Sequence, residues 1–195
     1  MEYARFARMR SQDLPFQLCY NRNMKKKSNL AFIDGQNLYL GTMQNNWAVD
    51  YRKFRIYLRD KYHVEEAYYF LGYIDEEERE LYNNLQKAGF IVCFREHSVA
   101  LKAAKKGNVD TDIVFEAMKS LIENDKFRKI LLISGDGDYK KLVDYLIKKK
   151  RFERILFPNK QFASSLYNRL APNFFDYLEN PGVKSKIAYK KKRSP

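Results

Sequence analysis

Asp34, Asp110, Asp112, Glu116, Asp136 and Asp138 are the residues of this 195-residue chain whose types and spacing could do chemistry. Asp136 and Asp138 alternate with Gly135 and Gly137 directly after the apolar run Ile130 to Ile133. Asp34 closes a second apolar run that begins at Leu30. Such short apolar runs between helical neighbours read as strands buried on both faces. The carboxyl ends of strands are where open parallel α/β sheets bind their ligands. Carboxylates gathered there repel one another unless a cation or a shared proton intervenes. Hard oxygen donors select Mg²⁺ or Mn²⁺. Such an ion lowers the pKa of water and offsets charge on a phosphoryl oxygen, and phosphodiester hydrolysis needs both.

Each acid alone has a plainer explanation. Asp110 could cap a helix, and Asp112 could sit in its first turn as a partner for the helix dipole. Asp112 and Glu116 are four apart, so a helix puts them on one face, one turn apart; Glu116 alone could be a solvated surface acid. Asp136 and Asp138 could be turn formers between glycines. The set gains weight as a whole because Asp34 and Asp136 both end apolar strands. Lys105 and Lys106, just before Gly107, could contact backbone phosphates or be solvated loop charges.

The elements that must position these residues can be read in order. A strand is expected over Asn29 to Asp34, then a helix over Tyr51 to Tyr62 with Asp50 as its N-cap. Val64 to Ile74 is aromatic-rich and strand-like. Asp75 opens an acid-led helix that ends at Gly89. Phe90 to Phe94 reads as a strand, 98–107 as a break, and Asp110 to Asn124 as a helix with a broad apolar side. A strand over Ile130 to Ile133 precedes a helix over Tyr139 to Lys149. Arg154 to Phe157 is a strand closed by Pro158, and Phe162 to Leu170 a short helix stopped by Pro172. Phe174 to Leu178 is a last apolar patch. This alternation points to a parallel sheet covered on both faces.

Composition sets the outer bounds. The length suits one domain with tails, and 45% hydrophobic residues suffice for a globular core. No apolar run approaches the roughly 20 residues that span a bilayer, so no membrane partner is expected and a cytoplasmic protein is. Cys19 and Cys93 read as free thiols in a reducing compartment. Two Cys and two His make a structural zinc site improbable. The net charge of +13 is concentrated at the ends: +5 over residues 1–29 and +6 over 183–195, leaving +2 for the body. Basic ends suit a polyanion, or are solvated tails. The expected organisation is a basic, poorly structured extension over 1–28, a domain over 29–180 and a basic tail over 181–195. Within the extension, residues 1–23 read as an upstream addition before Met24-Lys-Lys-Lys.

Three segments carry a resemblance to a known family. Phe32-Ile-Asp34-Gly-Gln-Asn37, Lys106-Gly-Asn-Val-Asp110-Thr-Asp112 and Ser134-Gly-Asp136-Gly-Asp138-Tyr139 resemble, in order, the three motifs of the NYN domain family. These are PIN-like ribonuclease domains that include LabA-type proteins. The resemblance spans roughly residues 29 to 178. It implies an α/β fold of three layers, α/β/α, around a central, mostly parallel sheet of about five strands. It also implies metal-dependent cleavage of RNA. Asp34, Asp110, Asp112, Asp136 and Asp138 would be the catalytic acids and would hold Mg²⁺ or Mn²⁺. Asn37 and Ser134 match supporting polar positions, and Glu116 stands where many relatives have an aspartate. Lys105 and Lys106 would then bind RNA.

The expected function is a metal-dependent endoribonuclease, and a homo-oligomer is left open. The alternative is a non-catalytic module of the same fold that binds RNA or protein. Intact acids favour the enzyme, since a binder gains nothing from clustered repulsion. A phosphatase of the haloacid dehalogenase type is a distant third, because Gln36 stands where that class is expected to carry its second aspartate.

Overall fold

The computed structural model describes residues 28–95, 109–123 and 126–190. The expected extension over 1–23, Cys19, and the basic residues 191–195 lie outside the described residues. The strands are β1 (Asn29–Asp34), β2 (Val64–Leu71), β3 (Ile91–Phe94), β4 (Ile130–Ile133), β5 (Phe152–Phe157) and β6 (Phe175–Tyr177). The helices are α1 (Gly35–Met43), α2 (Tyr51–Tyr62), α3 (Arg79–Ala88), α4 (Asp110–Glu123), α5 (Lys140–Lys148) and α6 (Pro181–Ile187). No helix among the described residues is long and apolar enough to cross a membrane.

All strand pairs are parallel, in the order β3-β2-β1-β4-β5-β6. Every residue of β1 and β4 is buried, which is why both read as unbroken apolar runs. Alternate residues serve opposite cores. Ala31, Ile33, Leu131 and Ile133 pack with Leu38 of α1, Phe54 and Leu58 of α2, Leu85 of α3 and Ile187 of α6. Leu30, Phe32, Ile130 and Leu132 pack with Ile113 and Ala117 of α4 and Val143 and Leu146 of α5. The three-layer α/β/α architecture therefore stands as expected, with six strands in place of about five. The sixth strand is three residues long, its Phe175 in register with Ile155, and a run that short shows no periodicity.

Two local expectations change. The sequence marks no helix over 35–43, yet α1 forms there, with the Asp34 side chain as its N-cap accepting from the Asn37 N–H at 3.0 Å. Its two glycines, Gly35 and Gly41, conceal it, since glycine is a weak helix former. Conversely, 162–170 contains only a short 3₁₀ turn over Ser165–Tyr167. There the chain is pressed against the turn after β4: a Cβ on Gly135 would collide with the Phe162 carbonyl. The Ser164 N–H also donates to the Gly135 carbonyl at 2.9 Å.

The segment expected as a basic tail over 181–195 starts with a helix that packs on the core. Val183 and Ile187 of α6 are buried in the core. The Asp50 N–H donates to the Ile187 carbonyl at 2.8 Å, and the Tyr189 N–H to that of Ala48 at 2.8 Å. The lysines of α6 decorate a helix whose apolar side is needed by the fold. Replacing Ile187 by Ala should therefore lower stability by about 2–5 kcal/mol, read as a lower urea midpoint. An unchanged midpoint would mean that α6 is dispensable.

Candidate active site

The strand order reverses between β1 and β4. The connection after β1 enters α1 on one face of the sheet, and that after β4 enters α5 on the other. Connections that part in this way leave a crevice beyond the carboxyl ends of the two strands. Asp34, Gln36, Asn37, Leu40, Val109, Asp110 and Asp136 line a cleft of about 240 Å³ there. No Lys or Arg is among those lining residues.

Asp34 is the anchor of the cleft, only 5% exposed. Besides capping α1 through Oδ1, it accepts at Oδ2 from the Ser134 hydroxyl at 3.3 Å and the Tyr139 hydroxyl at 3.3 Å. The Ser134 Oγ in turn accepts the Asp136 N–H at 3.1 Å, and the Asn37 Oδ1 accepts the Gly135 N–H at 2.7 Å. The ends of β1 and β4 are thus clipped together by side chains of Asp34, Asn37 and Ser134. Asn37 and Ser134 act as fasteners of the turn that carries Asp136.

That turn is held from both sides. The Asp136 carboxylate accepts the Asp138 N–H at 3.0 Å and starts a 3₁₀ turn over Gly137–Tyr139. The Tyr167 hydroxyl donates to the Asp136 carbonyl at 2.7 Å. Asp110 arrives from α4, where it is the first helical residue, and its carboxylate accepts from the Tyr139 hydroxyl. Tyr139 therefore stands between Asp34 and Asp110 with one proton that cannot serve both fully. Burial, then the charges of Asp34 and Asp110, push its phenol far above its usual range, so it keeps that proton.

Asp110, Asp136 and Asp138 each offer a carboxylate oxygen, all within 4.8 Å of one another. Three hard oxygen donors, beside a cleft with no Lys or Arg among its described lining residues, suit a divalent ion. Asp34 adjoins this trio through Tyr139 without belonging to it. Asp112 and Glu116 do not join it. Residues two apart on a helix point about 200° apart, so Asp112 cannot share the direction of Asp110. Its Oδ2 is buried without a hydrogen-bond partner among the described residues. Glu116 follows Asp112's side of α4 and pairs with Lys119 at 3.6 Å. Burial and the Glu116 charge together push the Cys93 thiol up to about 11, which places Glu116 towards β3. Lys105 and Lys106 lie outside the described residues. Tyr139 and Tyr167 are additions that the sequence reading did not assign. The signal available was an aromatic directly after the last acid, but Tyr and Phe are too frequent in this chain for one to stand out.

An open parallel sheet with carboxylates gathered at its switch point defines an α/β domain with an acidic, cation-compatible cleft. More narrowly, the chain belongs to the NYN domain family, whose family model matches residues 30–178. It is 26% identical over 153 residues to the low amplitude and bright protein LabA of Synechococcus elongatus, an alignment covering 73% of this chain and 81% of that protein. A crystal structure of a protein of unknown function from Vibrio parahaemolyticus matches with a TM-score of 0.68 at 20% identity, over 84% of this chain and 97% of that one. At that identity the likeness is one of fold.

The electrostatics of Asp34 give a pH dependence. Burial pushes its carboxyl from 3.8 up to about 6; the Asn37 N–H opposes this, and the Asp110 charge adds to it. A carboxyl raised on folding favours the folded state below pH 3.8, and that contribution is lost as pH rises through about 6. From this group alone, the metal-free protein should lose about 2 kcal/mol between pH 4 and pH 7, at 1.36 kcal/mol per pKa unit. Asp34→Asn keeps an oxygen to cap α1 and should be more stable than wild type at pH 7 in EDTA. Equal pH dependence of the two urea midpoints would count against the buried charge.

Proposed function

We propose that this protein is a metal-dependent endoribonuclease that hydrolyses RNA phosphodiester bonds in the cleft between β1 and β4. The observation that carries this reading is the convergence of Asp110, Asp136 and Asp138, from two separate parts of a NYN-family domain, on one point at the switch of the sheet. Like charges gathered this closely repel one another, and a bound cation would offset that repulsion. The same three acids would hold Mg²⁺ or Mn²⁺, with Asp34 behind them. Bound there, the ion would supply Lewis acidity, making water more acidic and offsetting charge on the phosphoryl oxygens.

The chain's own groups have distinct parts in this scheme. Asp110 and Asp136 present negative charge to the cleft. Tyr139 keeps its proton and donates a hydrogen bond to Asp110, fixing the direction of that carboxylate. The Ser134 hydroxyl and Asn37 amide hold the turn so that Asp136 stays in place. Asp112 and Glu116 are left out of the ligand set because they occupy another side of α4. Lys105 and Lys106, outside the described residues, would contact RNA phosphates.

Incubation of the purified protein with end-labelled RNA tests the proposal. Cleavage should need Mg²⁺ or Mn²⁺ and cease in excess EDTA. Asp110→Asn and Asp136→Asn should each lower the rate by roughly 100-fold or more, beyond the 10–100-fold typical of residues that only support a metal ligand. Asp112→Asn and Glu116→Gln should stay near wild type. Full activity in both Asp110→Asn and Asp136→Asn, or undiminished cleavage in EDTA, overturns the proposal.

A further inference from the structure

We propose that a second cavity, on the other flank of α1, is a base-holding subsite for single-stranded RNA; this deepens the ribonuclease reading and rests on it. Two flanks of α1 face cavities. Gln36, Asn37 and Leu40 line the acidic cleft. Leu38, Tyr39 and Thr42 line a larger cavity of about 520 Å³, closed by the start of α2, the end of α3 and Tyr189. An α-helix with its side chains is about 10–12 Å across. A strand of RNA crossing this one helix would therefore reach from the larger cavity to the carboxylates.

The lining of the larger cavity suits a nucleotide. Its volume lies within the roughly 300–1,000 Å³ of typical small-ligand sites, enough for a base and its sugar. Tyr39 and Tyr189, 57% and 62% exposed, offer aromatic faces at the rim. Buried Tyr69, met edge-on by the ring of Tyr51 at 5.9 Å, forms an aromatic floor. Asn84 offers both a donor and an acceptor to a base edge. Arg52 and Lys87 are exposed and form no ion pair among the described residues, so their charges are available to phosphates. Asp50 lines the same cavity, but its charge is met by Lys53 at 2.9 Å. On α1 itself Leu40 and Met43 are 45% and 44% exposed, an apolar surface that bases could rest on.

Aromatic faces beside free cations are the recurring means of holding single strands, whose bases are unstacked and accessible. In a duplex those faces are turned inward, so double-stranded RNA gains nothing from the two tyrosines.

Fluorescence anisotropy tests this with the full chain in EDTA, where binding is read without cleavage. The probe is an end-labelled single-stranded RNA of mixed sequence and about ten nucleotides, within the site sizes usual for single-strand binders. Tyr39→Ala combined with Tyr189→Ala should weaken binding roughly 10–100-fold. Arg52→Ala combined with Lys87→Ala should weaken it and flatten the salt dependence by about 1.4 in log–log slope, at about 0.7 per phosphate contact. All four side chains are solvent-exposed, and unchanged thermal melts would establish that both variants fold. A duplex of the same sequence should be indifferent to the tyrosine pair. In the cleavage assay the tyrosine variant should raise KM and leave kcat unchanged. Unaltered affinity in both double variants overturns the subsite. The two proposals fail separately. Tyrosine-dependent binding by a protein that never cuts RNA with Mn²⁺ removes the nuclease and keeps the subsite. Cleavage whose KM ignores both double variants removes the subsite and keeps the nuclease.

Discussion

The parallel pairing of β1 with β4, Leu30 to Ile33 against Ile130 to Ile133, is the constraint on which the rest of the molecule depends. These strands are far apart in sequence and wholly buried, so their register is set by packing on both faces at once. A slip of one residue would send Phe32 and Leu132 into the wrong core. The same register brings Asp34 level with the turn that carries Ser134 and Asp136. Because the chain then leaves β1 and β4 for opposite faces, that end of the pair opens into a cleft among the described residues. The apolar pairing that stabilises the sheet and the cleft at its carboxyl end are consequences of one topology.

Electrostatic tension is concentrated at this opening. Asp34 is buried, caps α1 and receives two hydroxyls, yet its carboxyl remains raised to about 6 because desolvation outweighs those hydrogen bonds. Three further carboxylates stand just beyond it. Relieving this tension would make a more stable domain, because desolvation and like-charge repulsion both oppose folding here. The fasteners around the site are accordingly numerous. Asn37, Ser134, Tyr139 and Tyr167 each hold a group that like-charge repulsion or loop freedom would otherwise displace.

Helix α1 has an importance that its sequence conceals. It is weakly helical by composition and is fixed from outside: Asp34 caps its start, and the Asn159 amide donates to the Gly41 carbonyl at 2.5 Å near its end. Pro158 packs so closely on Gly41 that a Cβ there would not fit. Held in this way, α1 becomes the wall between the acidic cleft and the tyrosine-rimmed cavity.

The central strands, the parallel sheet covered on both faces and the acids at its strand ends are legible without a structure, because apolar runs ending in Asp are local signals that need no partner to be read. The sequence also marked Asp50 as a helix cap and Gly89 as a helix end, both of which the fold uses. Which acids meet was another matter. Asp110 and Asp112 share one motif and Glu116 follows a turn later, and the seating of Ile113 and Ala117 in the core is what turns Asp110 towards the cleft and Glu116 towards Cys93. The α6 helix likewise looked like part of a basic tail, since two buried side chains among lysines make too faint a pattern. A helix rotation, a three-residue strand and the role of Tyr139 are fixed by contacts between segments distant in the chain, and those contacts exist only once the sheet has assembled.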